Sequence, residues 1–517
     1  MQAITKHMLF NSFGFITLFL PITLIGFFLI GRHSSAFARF WLIGCSLVFY
    51  GWWSILYLGL LLIWIAVDFC LGRWITEIRD VSARRTRQLL IFGVTLNVLA
   101  LAFFKYRIFI ADNLTALSGV EFTMQALVLP LAISFHTFQQ IAYLVDATKP
   151  ETPRYTFPQY LLFVSYYPQL IAGPIVHHSE LLPQFERREI YRFSRRAFTA
   201  GVFYFAIGLA KKVLIADPLG AISEPVFALG ASEPDFFDAW TATLAFGLGL
   251  YFDFSGYSDM AVGLARMIGI RLPFNFASPY KAKSIIEFWR NWHMTLSRWL
   301  RDYVYIPLGG NRHGAGRRFT NLFITMLIGG LWHGAAFTFV IWGALHGIYL
   351  MINHGWIRLK NHFDRRGISI FLPTLAGQGL TLFSVMMAWV FFASPSLNIA
   401  AGVFSGLVGA NGFGSNNSWL LAHSLMGDSW ARQVVGPFGS ATLIVSKYTW
   451  LLVAGFIAIS TPNSQQIVES FSTGPVTGKT EKVLRRHWRK SAVAAGVVCA
   501  VAYFSLGELK QFIYFQF

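Results

Sequence analysis

His293 and His333 are the residues of this chain best suited to chemistry. They lie in Phe288-Trp289-Arg290-Asn291-Trp292-His293 and Gly329-Gly330-Leu331-Trp332-His333-Gly334. An imidazole is the side chain most often used to take up or give back a proton near neutral pH. Both sit in hydrophobic stretches studded with glycine and tryptophan, where a merely structural histidine would be costly. Ionisable groups at membrane depth are rare, face a protein interior or a water-filled cavity, and are read as functional.

His293 belongs to the most basic part of the chain. Between Lys281 and Arg318 eight bases accompany only two acids, Glu287 and Asp302. At about 100° per residue, Trp289, Trp292, Leu296, Trp299, Leu300 and Tyr303 form one stripe, with Glu287, Asn291, Arg298, Arg301 and Asp302 opposite. The pattern predicts an amphipathic helix with His293 at the border of its faces. It suits a helix beside a polar tunnel, and equally one lying in the membrane interface with aromatic anchors and snorkelling arginines. Asp302 is expected to hold Arg298 or Arg301 as a buried pair that keeps the helix in register.

His333 lies in the apolar stretch Phe319–Met351, which also carries Gly343-Ala344-Leu345-His346-Gly347. Glycines four apart permit close backbone approach. In one straight helix His333 and His346 would point about 140° apart, so His346 is read as a packing histidine at a separate place. A third stretch, Tyr251-Phe252-Asp253-Phe254-Ser255-Gly256-Tyr257-Ser258-Asp259, sets two carboxylates in apolar surroundings. Buried carboxylates need partners. Asp253 and Asp259 are expected to pair with the arginines of the amphipathic helix, the alternative being substrate binding.

Composition says what must position these residues. With 55% hydrophobic, 17% aromatic and only 13% charged residues, the chain cannot hide its apolar surface in a water-soluble core. Apolar runs recur at 12–31, 38–53, 54–72, 88–104, 125–145, 157–176, 197–216, 239–269, 319–353, 370–393, 396–410, 447–461 and 491–505. At roughly 20 residues per crossing, the expectation is an all-α polytopic membrane protein with about ten to twelve transmembrane helices plus re-entrant or interfacial helices. The net charge of +18 falls in short clusters between runs, such as Arg84-Arg85-Thr86-Arg87 and Arg358 to Arg366, and not in a basic domain. This pattern argues against a nucleic-acid partner and reads as cytoplasmic loops, which puts the N-terminus in the periplasm. Residues 1–31 lack a signal-peptide cleavage pattern and are kept as the first helix.

Cys45, Cys70 and Cys499 have neither disulfide nor metal-ligand spacing. The adjacent His177 and His178 are expected to point apart in an interfacial loop rather than share a metal, so no metal site is expected. The interval 409–446 reads as a loop with short surface helices, and 472–490 as a last cytoplasmic connection. The whole chain, 1–517, is read as a single membrane domain.

The segments Glu287–His293, Trp299–Asn311, Gly329–Gly334 and Trp342–Gly347 closely resemble the membrane-bound O-acyltransferase (MBOAT) family, in particular its bacterial branch that acetylates alginate and other polysaccharides. The likeness extends to Leu170–Pro174, Tyr251–Gly263 and Phe512–Phe517. The resemblance implies helices in a ring around a tunnel, with His333 the catalytic histidine and His293 the second functional one. It implies acetyl-CoA or another acyl thioester as donor, an inner-membrane location, and a periplasmic SGNH-type partner that completes transfer to exopolysaccharide. Acyl transfer to a hydroxyl needs a base, donors for the developing oxyanion and a site where water cannot compete. His333 suits the base; His293, Asn291 or Arg298 could polarise the acyl carbonyl, and Trp289, Trp332 and Ser255 are candidate tunnel-lining residues. The alternatives are D-alanyl or other acyl transfer to a teichoic acid or glycolipid, or a transporter without chemistry.

Overall fold

The structure is a computed structural model describing residues 8–125, 127–227, 233–369, 371–413, 439–470, 488–507 and 512. Most of the expected 409–446 loop, most of the 472–490 connection and residues 513–517 lie outside the described residues. Among the described residues every regular element is helical. The chain divides into two compact units, Met1–Gly208 with Tyr257–Phe274 and Leu209–Gly256 with Asn275–Phe517.

The first unit contains α1 (Leu20–Gly31), α2 (Ser35–Gly51), α3 (Ile55–Ile78), α4 (Ala83–Lys105), α5 (Arg107–Ser118), α6 (Ile133–Ala147), α7 (Phe157–Ser165), α8 (Tyr167–Leu170) and α9 (His178–Phe185). Ser34, Ser54 and Ser82 start α2, α3 and α4 by accepting the backbone N–H groups of Phe37, Tyr57 and Arg85, which satisfies donors that a helix start leaves over. α3, α4 and α6 pack together. A polar seam joins α3 to α4, where Asn97 Nδ2 donates to Asp68 Oδ1 at 2.8 Å and Trp64 Nε1 to Asn97 Oδ1 at 3.0 Å. Such bonds hold apolar helices together where hydrophobicity alone gives no preference.

Two apolar runs are shorter as helices than their hydropathy suggests. α6 begins only at Ile133, after Pro130, and the 157–176 run breaks at Tyr166 between α7 and α8. Pro168 has no N–H to continue the α7 ladder. The adjacent histidines also differ from expectation, because both turn toward Asp146. His178 Nε2 lies 3.2 Å and His177 Nδ1 3.9 Å from its carboxylate, while the Tyr155 hydroxyl is 2.9 Å from His178 Nδ1.

α10 (Arg195–Ala210) begins in the first unit; a π-helical turn, Lys211–Ala216, and α11 (Asp217–Phe227) follow in the second. The second unit then has most of α12 (Phe236–Met267), α13 (Ile285–Asn291), α14 (Met294–Leu300), α15 (Gly314–His333), α16 (Phe337–Asp364), α17 (Thr374–Ala393), α18 (Leu397–Leu407), α19 (Gly439–Ser460), α20 (Ser464–Ser470) and α21 (Trp488–Phe504). Among the described residues four stretches are long and apolar enough to cross a bilayer: α3, α4, the α10–α11 run and α17. Shorter apolar helices occur at 15–31, 35–51, 397–407 and 448–460. The protein is therefore a helical membrane protein.

The 319–353 run is not one helix. It folds at Gly334–Ala336 into a hairpin in which α15 and α16 pack closely along their length. Glycines make this possible. A Cβ on Gly330 would stand 2.3 Å from Phe339 O and 3.1 Å from Gly343 Cα, and one on Gly343 2.5 Å from Met326 O. Overpacking typically costs about 1–3 kcal/mol, so Gly343→Ala should lower the melting temperature in detergent. Gly355→Ala, on the same helix with nothing within 4 Å of its Cβ position, should leave it unchanged or raise it, since alanine favours a helix interior over glycine. Equal melting of both variants would show that the two helices do not meet at Gly343.

Candidate active site

Ser284 starts α13 by accepting the Glu287 N–H at 3.2 Å. The apolar stripe predicts that this helix runs on through His293, but it stops at Asn291. Trp292 is extended (φ −102°, ψ 128°), His293 is left-handed (φ 41°, ψ 54°), and α14 starts at Met294. The preceding segment supplies the reason. Ala277 N–H donates to Asn291 O at 3.0 Å and Met294 N–H to Asn275 O at 2.9 Å, while Thr295 Oγ1 donates to Asn275 Oδ1 at 2.6 Å. Tertiary hydrogen bonds replace the helical ones, and a single helical wheel no longer describes these residues.

The break carries His293 into the interior, where it is 1% exposed. The ring lies edge-on to Phe254 at 4.7 Å and 87°, with Trp332 at 6.3 Å. Burial pushes the His293 imidazole down to about 3, so the ring is neutral at physiological pH.

His333 is the last residue of α15. Its ring is 5.1 Å from Trp342 and 5.0 Å from Phe392, both at steep angles. Gly334 after it has no room for a side chain, since a Cβ would stand 2.0 Å from the Phe339 ring. His346, on α16, is fully buried and accepts a hydrogen bond from Trp289 Nε1 at 3.3 Å. It also packs 4.8 Å from Trp342. The hairpin thus places His333 and His346 against the same indole, where a straight helix would have separated them. Trp389 stacks on Trp342 at 5.8 Å and lies 5.0 Å from Trp292. One aromatic succession, His293–Trp332–His333–Trp342–His346, links the three imidazoles. A neutral imidazole among such rings can accept a proton where little water competes.

The other candidates are spread around this cluster. Trp289, Trp332 and Ser255 are buried; Asn291 and Arg298 are half-buried, Asn291 giving its carbonyl to the clamp. Asp302 does hold Arg301, through bonds of 2.7 and 3.1 Å, but the side chains are 29% and 61% exposed. The expected buried pair is a surface contact, of a kind contributing only about 0–1 kcal/mol. Asp259 lies in the first unit. Asp253 is fully buried, and a lysine from another helical segment holds its carboxylate. Lys212 Nζ lies 2.7 Å from Asp253 Oδ1, 2.8 Å from Asp217 Oδ1 and 4.5 Å over the Phe512 ring.

Lys212 and Asn275 are absent from the sequence-derived candidates. Lys212 left a signal, a lysine pair inside the apolar 197–216 run, where an ionisable group implies a buried partner. It sits in a π-helical turn, a distortion frequent at functional sites. Asn275 left none, because its role is set by a helix break that its own segment creates.

The sequence profile of MBOAT, the membrane-bound O-acyltransferase family, matches residues 148–392, a stretch that holds all three histidines. The chain is 41% identical over 432 residues to a peptidoglycan O-acetyltransferase of Helicobacter pylori, covering 78% of this chain and 80% of that protein. It is 39% identical over 405 residues to a probable alginate O-acetylase AlgI of Pseudomonas putida, covering 77% and 80%. A teichoic acid D-alanyltransferase of Streptococcus thermophilus is 30% identical over 255 residues, covering 47% and 60%. The chain belongs to the membrane-bound O-acyltransferase family and is an acyltransferase of its O-acetylation branch.

Removing one partner of a buried ion pair typically costs roughly 3–5 kcal/mol, because the other charge is stranded. Lys212→Met should therefore strongly lower thermal stability, and Lys212→Met with Asp253→Asn should recover part of the loss. A single variant as stable as the parent would mean that this cluster is hydrated.

Proposed function

We propose that this protein takes acetyl groups from cytoplasmic acetyl-CoA and moves them across the bacterial inner membrane for O-acetylation of an exported polysaccharide. The observation that carries the reading is the convergence of His293 and His333 on one enclosed aromatic wall, in a chain about 40% identical to O-acetyltransferases of two kinds of polysaccharide. In this reading the chain is a single membrane domain with its N-terminus in the periplasm. About ten to twelve transmembrane helices plus re-entrant or interfacial helices ring a tunnel, and a periplasmic SGNH-type partner receives the acetyl group or completes its transfer to the glycan.

His333 acts as general base. It takes the proton of the acceptor hydroxyl as the oxygen attacks the acetyl carbonyl; the new C–O bond replaces the C–S bond, and the proton passes to the departing thiolate, so that free CoA leaves as thiol. His293 acts on the carbonyl side. With a neutral ring it donates a hydrogen bond to the oxygen on which charge develops, in surroundings where such a bond is stronger than in water. Asn291, Arg298, Trp289, Trp332 and Ser255 line the donor path, and His346 with Asp253 and Asp259 supports the scaffold. Transfer of D-alanine is the lesser reading, because the D-alanyltransferase likeness covers under half of this chain.

General acid–base catalysis typically contributes 10²–10⁴-fold. His333→Ala should lower polysaccharide O-acetylation by about that factor while leaving membrane expression near normal. Purified parent protein should release CoA from labelled acetyl-CoA, and the variant should not. Substantial residual transfer in His333→Ala would rule out the base assignment; transport of acetyl-CoA without CoA release would favour a transporter.

A further inference from the structure

About two turns beyond His346 along α16, basic side chains from three helices gather in the second unit. Arg318, near the start of α15, places Nη2 2.8 Å from His354 Nδ1. Arg358 follows His354 by one turn and lays its guanidinium over Phe319 at 5.1 Å. α13 docks at the same point, with Ile286 N–H donating to Asn353 Oδ1 at 3.3 Å, and Arg290 lies one turn on along that helix face. The positive charges of Arg318, Arg358 and Arg290 all bear on the His354 ring. Among the described residues, Arg290, Arg318 and Arg358 make no ion pair with a carboxylate, and the buried Nε of Arg318 has no hydrogen-bond partner.

Three like charges drawn onto one imidazole repel one another, and a fold that tolerates this is suited to an anion that neutralises them. The planar fork of arginine matches phosphate oxygens two at a time; Arg318 Nη2 lies against both ring nitrogens of His354, at 2.8 and 3.1 Å, which holds the guanidinium in place and leaves its buried Nε as a donor for such an anion. We propose that Arg290, Arg318, Arg358 and His354 form a binding site for a phosphate-ester anion. Arg358 belongs to the basic cluster read as cytoplasmic, where two sources of that chemistry meet it: a soluble phosphorylated ligand and the headgroup of an anionic phospholipid. The site stands on the arrangement of cations and not on the acetyl-CoA assignment, and its test reads binding rather than acyl transfer.

The full-length protein in phosphatidylcholine nanodiscs would be titrated with inorganic pyrophosphate, and phosphatidylglycerol carried through purification from mixed-lipid detergent micelles would be measured by mass spectrometry. At least one of the two should bind the parent, and binding should weaken tenfold or more in Arg318→Gln and Arg358→Gln. Arg318→Lys should lose less, and Arg365→Gln, a charge in the same cluster outside the contact, should change nothing. Loss confined to pyrophosphate identifies a soluble phosphate ligand; loss confined to phosphatidylglycerol identifies a lipid headgroup. Should Arg318→Gln fail to give a monodisperse protein, the exposed Arg358 carries the comparison. Binding of neither probe by the parent, unchanged binding in the glutamine variants, or equal loss in Arg365→Gln would overturn the proposal.

Discussion

The left-handed backbone at His293 is the constraint around which the candidate active site is arranged. A non-glycine residue held there costs about 1–3 kcal/mol and persists only where its surroundings over-determine it. Three hydrogen bonds from the Asn275–Ala277 segment do so, two with the backbone on either side of the break and one with the Thr295 hydroxyl. The direction of the imidazole is therefore set by the backbone as well as by its rotamer, and it points at Phe254 and Trp332. A continuous helix would have left His293 on the border between a polar and an apolar face.

What surrounds the ring follows from that placement. A neutral imidazole carries one ring N–H to donate and adds no charge to an apolar interior, and burial among aromatic rings keeps His293 neutral by penalising its charged form. Nearby charge is dealt with separately. Asp253, one residue before the Phe254 that packs on His293, has its carboxylate held by Lys212. The hairpin of α15 and α16 completes the wall, since close packing at Gly330 and Gly343 brings His333 and His346 both against the Trp342 ring.

The histidine motifs, the membrane character and the helical class were legible in the sequence, because composition and local glycine–tryptophan patterns report them directly. The α15–α16 approach was legible as glycines four apart, although the turn between the helices was not: Gly334 carries no signal that distinguishes a turn from a close contact. The break at Trp292 was hidden because its cause is the Asn275–Ala277 segment, which lies far outside the window of a helical wheel. The pairing of Asp253 with Lys212 was hidden for a similar reason, since a charge pattern shows that a buried acid needs a partner without showing which helix brings it. Asp302 shows the converse, a partner correctly expected from nearby charges but on a surface that charge spacing cannot distinguish from an interior.

An experimental structure with a non-hydrolysable acetyl-CoA analogue would test the placement of the chemistry most directly. The analogue's acyl carbonyl should lie beside the Trp332–His333 edge of the aromatic wall, with its carbon within about 3–3.5 Å of where a hydroxyl held by the His333 ring would sit. An analogue seated with its acyl group away from both His293 and His333, leaving the wall of Trp332, Trp342 and Phe392 untouched, would contradict a catalytic role for these histidines.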